Sequence, residues 1–309
     1  MVNGAGSEIG RAVAERFASE GAVVVGVDQA GHGVGEYAVQ ADLVDEAQVE
    51  AMYEQVVHRF GRLDVIYNNM GLMDPGDRSA LDISLPTWRR VQDANLTSIF
   101  LSCKHGIPHL LDTDPAGGSV INAASFLADI GAATAQMAYA AAKAGVVQLT
   151  RDLGVHLARS GVRVNAVLFG PIDTPGQRAV FVRNPGALEK RLVHWPMGRF
   201  GTLAEAAGTI AFLASEDSGF ITAAALPLDG GITQAFTVPE KQRPHQHQFS
   251  PLAWLIRGWR LIRGTGSAAD LPDGGQMVFV PGNACPASRT SCCPAQLSCL
   301  SCRRRGLPA

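Results

Sequence analysis

Over residues 1–238, short runs rich in β-branched residues alternate with stretches of helical period, and this alternation restricts the fold more than any other feature. The runs are Val23–Val27, Tyr37–Gln40, Asp64–Tyr67, Ser119–Asn122, Val162–Leu168 and Ala224–Leu228, each bounded by turn or polar residues. Helical patterns fill the intervals at 8–20, 45–60, 87–111, 137–159 and 203–215. Such repetition calls for a parallel sheet covered on both faces, because each parallel crossover lays a helix on the sheet. Right-handed crossovers then favour a doubly wound parallel sheet in three αβα layers. The first strand is anomalous. It is central in this topology, yet only Met1 and Val2 precede the turn that begins at Asn3. Strands usually have about five or six residues, so the expectation is a truncated strand in mid-sheet, or a start that lies upstream.

The turn itself, Asn3-Gly4-Ala5-Gly6-Ser7-Glu8-Ile9-Gly10, runs straight into a helical pattern. Glycines permit a tight strand–helix turn, and their missing side chains let a pyrophosphate approach the helix N-terminus. Spacing alone does not separate a phosphate loop from a plain turn. Asp28 adds a second signal, because it ends the next strand 18 residues after Gly10. In a dinucleotide-binding fold an acid about 20 residues on holds the adenosine ribose hydroxyls. A carboxylate there repels a 2′-phosphate, and no Lys or Arg lies between Arg16 and Arg59 to neutralise one, which favours NAD over NADP. Asp42 and Leu43 follow the third strand, where a side chain can reach the adenine edge. Asn69 and Gly71, within Asn68-Asn69-Met70-Gly71, follow the fourth and border the same groove. Glu8 suits the positive end of a helix and is expected to point outward, clear of a pyrophosphate.

Further along stand Asn95 in a helical stretch, Ser125 after a strand, Tyr139-Ala-Ala-Ala-Lys143, Gly170-Pro171-Ile172-Asp173-Thr174 and Leu228-Asp229-Gly230-Gly231. With four tyrosines and four lysines in the chain, a chance Tyr-x-x-x-Lys is expected about 0.05 times. In this order the motifs resemble those of the short-chain dehydrogenase/reductase family, single-domain type, over residues 1–238. The departures are Asn3 for Thr and Glu8 for Gly in the glycine motif, Met70 for Ala, Phe169 for Pro, and Ser125 one position further from Tyr139 than is commonest. The resemblance implies a Rossmann fold and an oxidoreductase that moves hydride between a nicotinamide cofactor and a secondary alcohol or ketone. Its substrates range over 3-oxoacyl thioesters, sugars and steroids. It implies Asn95, Ser125, Tyr139 and Lys143 as catalytic residues. Ser125 would hydrogen-bond the reacting oxygen, Lys143 would also hold the nicotinamide ribose, and Asn95 would position a water linking Lys143 to solvent. Pro171, Ile172 and Thr174 join Gly4, Ser7, Ile9, Gly10, Asp28, Asp42, Leu43, Asn69, Gly71, Tyr139 and Lys143 as cofactor residues. A homotetramer through the helices that carry Asn95 and Tyr139 is implied as well.

Chemically, Tyr139 and Lys143 sit four apart on a helical pattern and share a face. A free phenol titrates near 10 and is a poor base at neutral pH. A neighbouring ammonium and a cationic nicotinamide both favour phenolate, and a shift to about 7 requires roughly 4 kcal/mol. Residues 175–200, with Phe181, Leu188, Leu192, Val193 and Trp195, read either as an apolar substrate cover or as a plain amphipathic helix. The rival from another functional class is a non-catalytic NAD-binding sensor, in which the same crevice binds and no turnover follows.

Charge changes abruptly near Pro239. Residues 1–238 hold 17 Lys and Arg against 25 Asp and Glu, whereas 239–309 hold 9 against 3, with five of the six cysteines. No apolar run approaches membrane-spanning length and no apolar leader precedes the glycine turn, so a cytoplasmic protein without nucleic-acid or membrane partners is expected. The tail reads as a disordered extension. Its Leu252–Ile262 stretch is basic and amphipathic. Cys292, Cys293, Cys299 and Cys302, with His245 and His247, lack the paired C-x₂-C arms of a zinc site, so no metal is expected. Deleting 239–309 is expected to leave NADH affinity, read by NADH fluorescence titration, within about twofold of the full chain.

Overall fold

The computed structural model describes residues 1–31, 34–132, 134–182 and 186–235. The glycine turn, the strands and the helices read from the sequence all lie within them, whereas the cysteine-rich tail, including Leu252–Ile262, lies outside. Seven strands form one sheet: β1 (Val2–Asn3), β2 (Val25–Asp28), β3 (Tyr37–Gln40), β4 (Val65–Asn68), β5 (Gly118–Ser125), β6 (Val162–Phe169) and β7 (Ala225–Leu228). Their order is β3-β2-β1-β4-β5-β6-β7, and every pair is parallel. This is the doubly wound arrangement expected from the alternation. Its winding reverses between β1 and β4, where open α/β sheets form a crevice at the carboxyl ends of the strands.

The helices are α1 (Glu8–Ser19), α2 (Glu46–Phe60), α3 (Leu85–Gln92), α4 (Ser98–Leu111), α5 (Met137–Leu157), α6 (Pro175–Val182), α7 (Ala187–Leu192) and α8 (Leu203–Ala214). One side of the sheet is closed by α1 and α8, through Val13, Phe17, Ile210 and Leu213 packed with Tyr67, Ile121 and Val167. The other side is closed by α2, α4 and α5, through Val49, Met52, Ile99, Leu110 and Val146 packed with Ile66, Val120 and Val164. Local chemistry starts these helices where the periodicity does. Ser7 caps α1 by accepting from Gly10 N, Asp45 caps α2, and Thr202 with Glu205 forms a reciprocal capping box on α8. Val23, read from the sequence as part of a strand, is exposed ahead of β2.

One helical stretch is broken. Residues 87–111, read as a single helix, contain a π turn at Asp93–Thr97 between α3 and α4. A π turn accommodates one extra residue and often marks a functional position. Asn95 lies at its centre, completely buried.

The two-residue β1 is held in mid-sheet by side chains as much as by backbone. Asn3, Asn68 and Asn122 are register partners on β1, β4 and β5. Asn3 Nδ2 donates to Asn68 Oδ1 at 2.9 Å, and Asn68 Nδ2 donates to Asn122 Oδ1 at 2.9 Å. Asn122 Nδ2 continues the row to Thr150 Oγ1 on α5 at 3.0 Å. Ser102 of α4 donates to Asn68 Oδ1 at 2.5 Å, and Asn3 Nδ2 also reaches Tyr53 of α2 at 3.1 Å. Burial makes such amides costly to leave unpaired. Asn3 Oδ1 is, among the described residues, the one buried side-chain polar atom without a partner. Because Asn68 satisfies both neighbours, Asn68→Ala is expected to lower the unfolding free energy by about 2–4 kcal/mol in urea denaturation.

Candidate active site

α5 carries Tyr139 and Lys143 one turn apart on the side that meets the ends of β4 and β5. Lys143 is only 1% exposed. Its Nζ donates to Met70 O at 2.7 Å and to Ala123 O at 2.9 Å, and it lies 5.8 Å from the centre of the Tyr139 ring. Burial lowers the amine from 10.5 to about 7. Ser125 ends β5 and is 4% exposed, its Oγ accepting from Leu127 N at 3.2 Å. Burial pushes the Tyr139 phenol above its ordinary value, and the adjacent Ser125 hydroxyl acts in the opposite sense. The structure thus brings Ser125, Tyr139 and Lys143 together. It does not reproduce the expected lowering of the phenol pKa from the protein's own groups. Desolvation weighs on both partners, so an amine titrating near 7 offers only part of a charge to stabilise phenolate.

Asn95 reaches this cluster through the backbone. Its Nδ2 donates to Leu72 O and to Val91 O, both at 2.9 Å, and its Oδ1 accepts from Leu72 N at 3.0 Å. The amide therefore clamps the segment after β4 to the π turn. Both of its polar ends are committed to main chain.

At the other end of the crevice the glycine turn packs against Asn69. Gly4 has φ +76°, and a Cβ there would stand 2.8 Å from Asn69 O. Asn69 Nδ2 donates to Ser7 Oγ at 2.6 Å and to Gly4 O at 3.2 Å, while Tyr67 hydroxyl donates to Asn69 Oδ1 at 2.8 Å. Asp28, at the end of β2, accepts from Gly6 N at 3.0 Å and from Ala30 N at 2.9 Å. A Cβ on Gly6 would lie 2.6 Å from the Asp28 carboxylate. Ile9 and Gly10 stand in the first turn of α1, where Glu8 is exposed as expected. Asp42 is partly buried and accepts from Gln29 Nε2 and Val44 N, each at 3.2 Å. The Leu43 side chain, expected at the adenine edge, instead packs into the core.

Gly71 is exposed beside Asn95. Pro171 and Ile172 follow β6 and pair with Gly201, whose N–H donates to Pro171 O at 3.0 Å. Thr174 Oγ1 accepts from Gln177 N at 3.2 Å and so starts α6. Asp229 ties the turn after β7 by accepting from Gly231 N and Thr233 N. Phe181 and Trp195 are buried edge-on against Phe200, with ring centres 5.7 and 4.9 Å away, whereas Leu188, Leu192 and Val193 are partly buried. The described residues of 175–200 include two short helices, α6 and α7, with Phe181 of α6 and Trp195 packed on Phe200.

Sequence reading missed the acceptors that hold Lys143, which are main-chain carbonyls with no residue signature. It also missed Asp77, whose carboxylate accepts from Ala138 N at 2.9 Å and Tyr139 N at 2.8 Å.

The fold is that of an α/β protein of the doubly wound class. The model of a family described as enoyl-(acyl carrier protein) reductase matches residues 4–233. Cis-4-hydroxycyclohexanecarboxylate dehydrogenase of Sinomonas cyclohexanicum is 36% identical, over 75% of this chain and 95% of its own. Meso-2,3-butanediol dehydrogenase of Serratia marcescens is 34% identical, over 78% and 96%. The ligand-free aldohexose dehydrogenase of Thermoplasma acidophilum superposes with a TM-score of 0.69 at 32% identity, over 77% of this chain and 96% of that one. The chain belongs to the short-chain dehydrogenase/reductase family, and it is an oxidoreductase acting on CH–OH donors. No helix among the described residues is long and apolar enough to cross a membrane.

The buried amine makes a test of its own. Its folded pKa of about 7 lies below the unfolded 10.5, so between those values the unfolded chain binds more protons and stability rises with pH. The unfolding free energy of the parent relative to Lys143→Met is expected to increase by about 2 kcal/mol between pH 7 and 9. Denaturation at the two pH values checks it, and a pH-independent difference contradicts a desolvated amine.

Proposed function

We propose that residues 1–238 form an NAD-dependent catalytic domain in which Tyr139 exchanges a proton with the oxygen of a secondary alcohol or ketone. The observation that carries this reading is the meeting of Tyr139, Lys143 and Ser125 at the carboxyl ends of β4 and β5.

The residues at the glycine turn fit a dinucleotide. A tight turn delivers the chain to the N-terminus of α1, where Gly4, Ser7, Ile9 and Gly10 would hold a pyrophosphate. Asp28, already fixed to the turn by Gly6 N, would take the adenosine ribose hydroxyls and repel a 2′-phosphate. Asp42 and the Leu43 main chain would border the adenine. Asn69, Gly71, Pro171, Ile172 and Thr174, with Tyr139 and Lys143, would border the nicotinamide half. Bound there, a nicotinamide dinucleotide supplies or takes the hydride, and its oxidised form adds a positive charge to the site.

The chain's own residues do the rest. Ser125 donates a hydrogen bond to the reacting oxygen, stabilising charge as it develops. Tyr139 gives or takes the proton at that oxygen, and Lys143 beneath the ring eases its ionisation. Asn95 holds the Leu72 backbone two residues from the Met70 carbonyl that accepts from Lys143; with its amide committed to main chain, a water linking the amine to solvent would need another acceptor. Exposed Phe100 on α4 and Val155 on α5 support assembly as a homotetramer through those helices.

The decisive experiment follows NADH absorbance over a panel of meso-2,3-butanediol, glucose, a 3-hydroxysteroid and a 3-oxoacyl thioester, with parent and Tyr139→Phe side by side. Tyr139→Phe is expected to lower kcat by about 10²–10⁴ while NADH binding stays within about twofold. Equal turnover in both forms removes Tyr139 from the chemistry, and no turnover in either returns the chain to a dinucleotide-binding sensor.

A further inference from the structure

We infer that Asp77 is a positioning residue for Tyr139: its carboxylate, reaching in from the loop between β4 and α3, sets the first turn of α5 and hence the place of the phenol. This rests on the reading of Tyr139 as the proton-exchanging group.

α5 lacks a cap of its own. Gln136, at its N-cap position, makes no side-chain capping bond, and its amide turns instead to Thr134 Oγ1 at 3.0 Å. The free N–H groups of a first helical turn need acceptors when they are buried. Asp77 provides them from 61 residues away in the chain, one carboxylate oxygen to Ala138 N and the other to Tyr139 N. It is 5% exposed, so its charge is committed to these donors and to the positive end of the α5 dipole. One of the two donors is the main chain of Tyr139 itself. A shift of the carboxylate is thereby a shift of the residue whose hydroxyl must meet the substrate.

The loop that carries Asp77 is itself braced at three points. Met70 O accepts from Lys143, and Leu72 exchanges two hydrogen bonds with Asn95. Asp74 pairs with Arg90 of α3 at 2.6 Å, and Asp74 O accepts from Asp77 N at 2.9 Å. From the other side, Gln92 Nε2 of α3 donates to Ala138 O at 2.8 Å. Residues 70–77 thus touch Lys143, Asn95 and Tyr139 in turn, and Asp77 is the link to the last.

The test compares Asp77→Ala and Asp77→Asn with Asp45→Ala, which removes a carboxylate cap from α2, where Asp45 accepts from Ala47 N and Gln48 N. Turnover is measured with the panel substrate that the parent uses fastest, and active sites are counted by NADH titration. Asp77→Ala is expected to lower kcat by roughly 10- to 100-fold, with KM for the alcohol and Kd for NADH within about twofold, as a displaced reacting group does. Asp77→Asn, which keeps one acceptor oxygen, is expected to recover part of that loss, leaving kcat about threefold or more below the parent. Asp45→Ala is expected to lower Tm to a similar extent while keeping parental kcat. If Asp77→Ala does not fold, Asp77→Asn decides on its own: kcat about threefold or more below the parent at unchanged NADH affinity supports the assignment. Parental kcat in the decisive variant, or an equal fall in Asp45→Ala, overturns it. Tyr139→Phe separates the two levels, since full turnover there removes the underlying reading whatever the Asp77 variants do.

Discussion

Lys143 carries an amine into the interior, and two main-chain carbonyls, Met70 O and Ala123 O, accept its hydrogen bonds there. One lies just beyond the end of β4 and the other within β5. The amine can be held this way only if those strands are neighbours and α5 crosses both. A group desolvated until it titrates near 7 needs partners on rigid elements, because a loose acceptor would leave it unpaired part of the time. The position of Tyr139 follows from the same restriction. It sits one helical turn away on the same face, so the registry that seats the amine also seats the phenol beside Ser125.

The sheet beneath supplies that rigidity, although its middle strand is only two residues long. Asn3, Asn68 and Asn122 join β1, β4 and β5 by side-chain hydrogen bonds running across the strands, parallel to the backbone ladder. Successive residues of a strand point to opposite faces, so the neighbouring asparagines of the Asn68–Asn69 pair serve different layers. Asn68 completes the buried amide row. Asn69 turns to the other side and fastens Gly4 and Ser7. The glycine turn and, through Asn122 and Thr150, α5 are therefore tied to the sheet through one dipeptide.

Most of the architecture was legible in the chain because burial on both faces leaves a periodic trace. The β3 segment Tyr37–Gln40 and the starts of α1 and α5 fall where alternation and helical period put them, and Ser7, Asp45 and Thr202 are ordinary capping residues. The break at Asp93–Thr97 was not legible. A π turn has no composition of its own, and here it coincides with an Asn95 amide that bonds to both Val91 O and Leu72. Asp77 was equally hidden. An aspartate in a loop rich in Gly, Pro and Asp looks like a turn residue, and nothing local indicates that its partners stand 61 positions later. Leu43 went the opposite way: chosen for its place after a strand, it turned its side chain into the core.

What the linear order of residues determined was the set of elements, their parallel winding, and the side of the sheet on which a crevice opens. Short-range forces suffice for that, since period, capping and turn chemistry all act within a few residues. Tertiary structure alone decided the protonation landscape of the crevice and the tie between Asp77 and Tyr139. Both depend on desolvation and on hydrogen bonds between segments far apart in the chain, quantities that acquire values only once the layers have closed.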